Sequence, residues 1–92
     1  MSKPDFVSQM NQTDQQILQL FVKKLDLAKQ DLQHKQATGE KLFTRGEDAM
    51  TLEKQIKTVD RPEYDPYLID LMRDLTIITR QSQANIIRKQ QK

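Results

Sequence analysis

The feature that most constrains the fold is a run from Asp5 to Thr38 that contains neither glycine nor proline. These two residues disfavour the interior of a helix most strongly, so their absence predicts one continuous helix. Pro4 is expected to open it, with Ser2 nearby as a cap, and Gly39 to close it. At about 1.5 Å per residue, such a helix would be about 50 Å long.

Two shorter helices are predicted after it. The second runs from Glu47 to Arg61 and stops before Pro62. The third begins at Asp65-Pro66, an expected N-cap followed by proline at the first helical position, and continues to Ile87. Both carry apolar residues three or four positions apart, as amphipathic helices do. These residues are Ala49, Leu52, Ile56 and Val59 in the second helix and Leu68, Met72, Leu75 and Ile86 in the third. The sequence therefore predicts an all-α fold in a single domain, residues 1–92, with one long, one short and one medium helix.

The long helix raises a problem of burial. Its expected core stripe consists of Met10, Ile17, Phe21, Ala28 and Leu32. Helices of about 22 and about 35 Å cannot cover this stripe over its whole length. Either the long helix breaks around residues 11–14 or a second chain covers it. We expect a homodimer in which the long helices pair.

Composition excludes several classes of protein. Fifteen basic and 13 acidic residues give a net charge of +2, which is too balanced to indicate nucleic-acid binding. The chain has no cysteine, so disulfides and thiolate metal sites are excluded and a reducing cytoplasm is the expected location. No apolar run approaches about 18 residues, so no membrane span is expected.

Two lysines share a face with the core stripe. Lys24 and Lys35 are eleven positions apart, or about three helical turns. Because an unpaired ammonium is costly to bury, their position favours an anionic ligand inside the bundle. Two alternatives remain: either lysine could extend to the rim, and Asp31, four residues before Lys35, could pair with it.

Polar residues also interrupt the stripes of the other helices. Thr79 and Gln83, four apart, lie on the stripe of the third helix, and Asp48 lies at the edge of the second. The Thr79 hydroxyl could instead bond to the carbonyl one turn earlier, and Asp48 could simply favour a helix N-terminus. Gln83 is harder to explain by structure alone, since a core amide has four hydrogen-bonding sites to satisfy.

Three segments, in this order and spacing, resemble the all-helical class of chorismate mutases. They are DQQILQLFVKK at 14–24, LFTRGED at 42–48 and MRDLTIITRQSQ at 72–83. The resemblance implies an intertwined homodimer that rearranges chorismate, a small dianion, to prephenate in aromatic amino acid biosynthesis. It also implies that neither cofactor nor metal takes part.

The resemblance also implies a role for each site residue. Lys35 and Gln83 would contact the ether oxygen of the substrate, as the catalytic pair. Lys24 would bind a carboxylate, Asp48 the substrate hydroxyl, and Thr79 a carboxylate or the hydroxyl. Thr44 and Arg45 complete the predicted substrate-binding residues.

The chain departs from the family at several charged positions. Val7 lies where the family has an arginine that reaches the partner's site, Glu47 replaces an arginine, and Thr44 replaces an aspartate. Lys24 also replaces an arginine, and Arg45 is a candidate to restore the lost charge. Two alternatives to an active mutase stay open: a catalytically degenerate homologue that binds another anion or a protein, and an unrelated small immunity-type helical interaction protein whose likeness to the family is coincidental. An isochorismate lyase, which shares the fold, is a variant of the active enzyme.

Overall fold

The protein is described by a computed structural model over residues 4–42 and 47–91, without the side chains of residues 47–49. Helix α1 spans Phe6–Thr38, α2 spans Glu47–Val59 and α3 spans Asp65–Gln90, with a short 3₁₀ turn at Pro62–Tyr64. The described residues form no strand. The predicted all-α fold of one long, one short and one medium helix is confirmed.

Both ends of α1 are capped. The side chain of Asp5 accepts a hydrogen bond of 2.9 Å from the backbone N–H of Ser8, so Asp5 is the N-cap. The prediction that Pro4 opens the helix is wrong, since Pro4 precedes this cap, and Ser2 lies outside the described residues. Gly39 closes the helix as predicted, with φ of 77° and its N–H donating to the Lys35 carbonyl at 2.9 Å.

The junction between α2 and α3 differs from the prediction. Helix α2 ends at Val59 rather than at Arg61, because Asp60 takes a left-handed conformation with φ of 55°. The Arg61 guanidinium then lies 4.9 Å from the centre of the Tyr64 ring and donates to Glu63 at 2.7 Å. This hydrogen bond holds the pKa of the Glu63 carboxyl below its ordinary value.

The predicted start of α3 is also wrong by one residue. Tyr64 is the N-cap, without a side-chain hydrogen bond, and Asp65 is already helical. Its carboxylate therefore lies in the first turn, where the helix dipole favours negative charge. The helix continues beyond the predicted Ile87 to Gln90.

Helix α3 packs against both α1 and α2. Among the described residues, Ala28, Leu32 and Ile56 are the buried apolar ones, whereas Val59, predicted to lie in the core, is half exposed. Gln83 of α3 donates to the Ala28 carbonyl at 2.9 Å, and the Gln36 and Gln90 amides bond at 2.9 Å. From the first of these contacts to the second, the residue numbers increase on both helices, so α1 and α3 run parallel.

The other helices leave most of the described apolar residues in the first half of α1 uncovered. The helix is continuous, so the alternative of a break at residues 11–14 is wrong. The radius of gyration is 17.0 Å, against about 12 Å for a compact chain of this length. We call the exposed apolar residues of this half the N-terminal apolar surface; they are Phe6, Val7, Met10, Ile17, Leu18, Leu20 and Val22. Met10 and Ile17 of the expected core stripe are therefore exposed in the single chain, and their cover by a second chain stays a prediction.

None of the described helices combines the length and the apolar character that crossing a membrane requires.

Candidate functional site

A pocket of about 490 Å³ lies where the three helices meet. This volume falls within the range of about 300–1,000 Å³ that is usual for small-molecule sites. Its apolar wall comes from Leu27, Ala28, Leu42, Leu52 and Met72. Its polar lining comprises Lys24, Asp31 and Lys35 of α1, Thr51 and Gln55 of α2, and Thr76, Thr79, Arg80 and Gln83 of α3.

Four of the predicted site residues line this one pocket. Lys24 and Lys35 lie on its α1 wall, and Thr79 and Gln83 on its α3 wall. Thr44, Arg45 and the side chain of Asp48 fall outside the described residues, although the backbone of Asp48 belongs to α2.

Lys35 is held by two partners at one end of the pocket. Its side chain is only 24% exposed, and Nζ lies 3.0 Å from a carboxylate oxygen of Asp31. Nζ also donates to the Leu42 carbonyl at 3.2 Å, which ties the segment after α1 back to the helix. The predicted pairing of Asp31 with Lys35 is thus confirmed. An ammonium has three N–H donors, and these contacts use two.

Lys24 lies on the same wall but is exposed to solvent. This is the placement that a lysine adopts when its methylenes cover apolar surface and its ammonium stays in water. Its charge can therefore reach the mouth of the pocket at little desolvation cost.

Thr79 and Gln83 are both anchored to backbone carbonyls. The Thr79 hydroxyl donates to the Leu75 carbonyl at 2.6 Å, so the predicted bond to the preceding turn is present, and the hydroxyl oxygen retains acceptor capacity. Gln83 is 5% exposed, and its amide nitrogen donates to the Ala28 carbonyl of α1. That bond uses one of the two amide N–H donors and fixes the orientation of the amide at the pocket wall.

Several lining residues were missed by sequence reasoning. Arg80 lies four positions after Thr76 and three before Gln83, a spacing that places all three on one helical face. Thr51 and Gln55, four apart on α2, form the facing wall. The spacing places Arg80 beside Gln83 but does not by itself distinguish a pocket residue from a solvent-exposed one. The α2 residues carried no signal, because they lie off the apolar stripe of that helix.

The charge of the lining favours anions. Among the described residues that line the pocket, Lys24, Lys35 and Arg80 are cationic and Asp31 is anionic. A concave site with this excess of one sign concentrates ligands of the opposite sign. Within residues 4–42 and 47–91, no group of His, Asp or Glu side chains is arranged to hold a metal ion.

Comparison of the chain with protein-family models, with curated proteins and with solved structures found no match. The pocket itself therefore provides the evidence on function. Its relevant properties are a volume suited to a small molecule, an excess of positive charge and a buried amide fixed at the wall.

Proposed function

We propose that this pocket binds chorismate and rearranges it to prephenate. The observation that carries the proposal is that Lys24, Lys35, Thr79 and Gln83 line one open pocket between the helices. These residues come from helices far apart in the sequence, and the resemblance selects the same four for one reaction. Their convergence on one pocket supports that reaction.

The chemistry requires little of the protein beyond position and charge. In the rearrangement the ether C–O bond breaks as a new C–C bond forms, so the reaction is an isomerisation without a covalent intermediate. Negative charge develops on the ether oxygen. Lys35 and the second N–H of Gln83 would stabilise it, and Lys24 would hold a substrate carboxylate. The Thr79 hydroxyl would orient the ligand from the α3 wall.

The ion pair between Asp31 and Lys35 favours a second candidate function. With Nζ bound to Asp31 and to the Leu42 carbonyl, Lys35 also has a structural use. A catalytically degenerate homologue that binds a different anion would have such an arrangement. This candidate retains anion binding in the pocket and loses the rearrangement.

The decisive experiment follows the loss of chorismate by the purified protein. We expect turnover by the wild type and a loss of about a hundredfold or more in Lys35→Ala, the usual effect of removing one donor to a developing oxyanion. Lys29→Ala is the matched control, since Lys29 is exposed on α1 and lies outside the pocket lining. Full activity in Lys35→Ala contradicts the proposed site. No wild-type turnover at millimolar chorismate contradicts the proposed reaction, and a parallel assay with isochorismate separates the lyase.

The proposal includes a homodimer. The accessible surface of the chain is 8152 Å², whereas a compact monomer of this size has about 5,500 Å². The excess of about 2,600 Å² per chain gives a total interface of about 5,000 Å², which is within the range of obligate homodimers. The N-terminal apolar surface is the part of α1 that the described helices leave open, so we assign the interface to it.

Sedimentation tests this assignment. We expect twice the chain mass for the wild type and for Gln81→Glu, an exposed control on α3. Leu20→Glu should be monomeric, because Leu20 is 66% exposed in the single chain and the substitution would bury a charge between helices. A monomeric wild type excludes the dimer. A dimeric Leu20→Glu excludes this part of α1 as the interface. The setting we propose is cytoplasmic, which the absence of cysteine favours.

A further inference from the structure

Arg80 lies on the wall of the pocket that carries Thr76, Thr79 and Gln83. It is one helical turn from both Thr76 and Gln83. Gln83 is fixed by its bond to the Ala28 carbonyl, so the backbone from which Arg80 extends is held against α1. The guanidinium is thus attached to a well-positioned part of α3.

The parallel pairing of α1 and α3 sets the level of Arg80 along the pocket. Gln83 is level with Ala28, so Arg80, three residues earlier, is about level with residue 25. Lys24 is therefore its nearest cationic counterpart on α1. Lys35 lies about 15 Å further along the helix axis, at the end closed by Leu42. Positive charge consequently lies at both ends of the pocket, with the Gln83 amide between them.

The two ends differ in what they can recognise. A lysine ammonium is a point charge, whereas a guanidinium is a planar fork that binds both oxygens of a carboxylate. We infer that Arg80, together with Lys24, binds one carboxylate of a dianionic ligand. The rest of that ligand then lies toward Lys35 at the other end of the pocket. This inference rests on the proposed function, because it assigns one carboxylate of the same substrate.

Titration of the whole protein with two probes tests the inference. The probes are chorismate and glutarate, a simple dicarboxylate, each followed by the shifts of backbone amides in ¹⁵N-labelled protein. We expect Arg80→Gln to weaken binding of both probes about tenfold and Arg80→Lys about threefold, because lysine keeps the charge and loses the fork. Arg73→Gln is the control; its side chain is 65% exposed on α3 and lies outside the pocket lining. It should bind both probes as the wild type does.

The outcomes separate the inference from the proposed function. If Arg80→Gln binds both probes as tightly as the wild type, Arg80 is not a ligand-binding residue, even where chorismate turnover is intact. A second outcome is that the wild type binds glutarate and Arg80→Gln does not, while chorismate is neither bound nor consumed. This result supports Arg80 as an anion-binding residue and contradicts the proposed reaction. If neither probe shifts the pocket amides of the wild type, both are overturned. Equal weakening in Arg73→Gln also overturns the assignment, since it would indicate a general effect of net charge.

Discussion

Asp31 should weaken the binding of anions in the pocket, and replacing it should strengthen that binding. Its carboxylate lies 3.0 Å from the Nζ of Lys35, where the ether oxygen of bound chorismate, with the carboxylate on the neighbouring carbon, would also be placed. Asp31→Asn removes the negative charge and keeps the size of the side chain. Lys35 retains its bond to the Leu42 carbonyl, so its position should change little.

The size of the effect follows from the geometry. Two carboxylates that both contact one ammonium lie about 5 Å apart. Their repulsion is about 0.8 kcal/mol at the dielectric constant of water and about 3 kcal/mol at the effective value near a protein surface. The Asp31 side chain is 48% exposed, so solvent screening places the effect near the lower value. A gain of about 1 kcal/mol corresponds to about fivefold tighter binding.

The assay is a calorimetric titration with chorismate, and with glutarate as a second anion, at low and at high salt. We expect the fivefold gain at low salt and a smaller one at high salt, because salt screens the repulsion that the substitution removes. Asp26→Asn is the matched control, since Asp26 is exposed on the same helix and lies outside the pocket lining.

One result would refute this reasoning. If Asp31→Asn binds both anions more weakly than the wild type, with the same thermal stability, then Asp31 does not compete with the ligand. Its role would instead be to hold Lys35 in the orientation that binding requires. Unchanged binding in both variants would place the ligand away from Lys35 altogether.

Three further substitutions test the fold and its connection to the site. Leu32→Ala should lower the free energy of unfolding by about 2–5 kcal/mol in a denaturant titration, because Leu32 is 1% exposed, whereas Leu71→Ala, at a 47% exposed position on α3, should cost much less. Gly39→Ala should cost about 1 kcal/mol, which chemical denaturation can resolve; the cost is one of backbone conformation alone, since a Cβ there would meet no atom within 4 Å and φ is 77°. Gln83→Leu should lower the free energy of unfolding by about 1–3 kcal/mol, because it removes the buried donor to the Ala28 carbonyl, and should abolish chorismate turnover, so a folded variant that keeps full activity would remove the amide from the site.

The helices were predictable to the extent that local chemistry determines them. The end of α1 depends on one residue that accepts a left-handed backbone, Gly39, and the sequence predicts this end correctly. The end of α2 is not predicted correctly. Pro62 permits a helix up to the residue before it, but Asp60 adopts a positive φ and ends the helix earlier. Aspartate tolerates this conformation without requiring it, so the sequence alone left the choice open.

The site was predictable where a polar residue interrupts an apolar stripe. Gln83 and Lys35 stand out in this way, and both lie in the pocket. Arg80 and Gln55 lie beside the stripes, where a polar residue is ordinary. Whether such a residue faces solvent or a pocket depends on the distance to the neighbouring helix, which the periodicity of one helix does not contain.

The contact between Gln83 and Ala28 connects the packing of the helices to the composition of the site. A buried amide must find a partner, and the Ala28 carbonyl of α1 provides it. The same bond aligns the two helices, and so determines that Arg80 lies near the level of Lys24 and that Lys35 lies beyond both. The charge distribution of the pocket therefore depends on one side chain whose second N–H donor can also reach a ligand. For this reason a substitution at Gln83 should lower both the affinity for an anion and the stability of the fold.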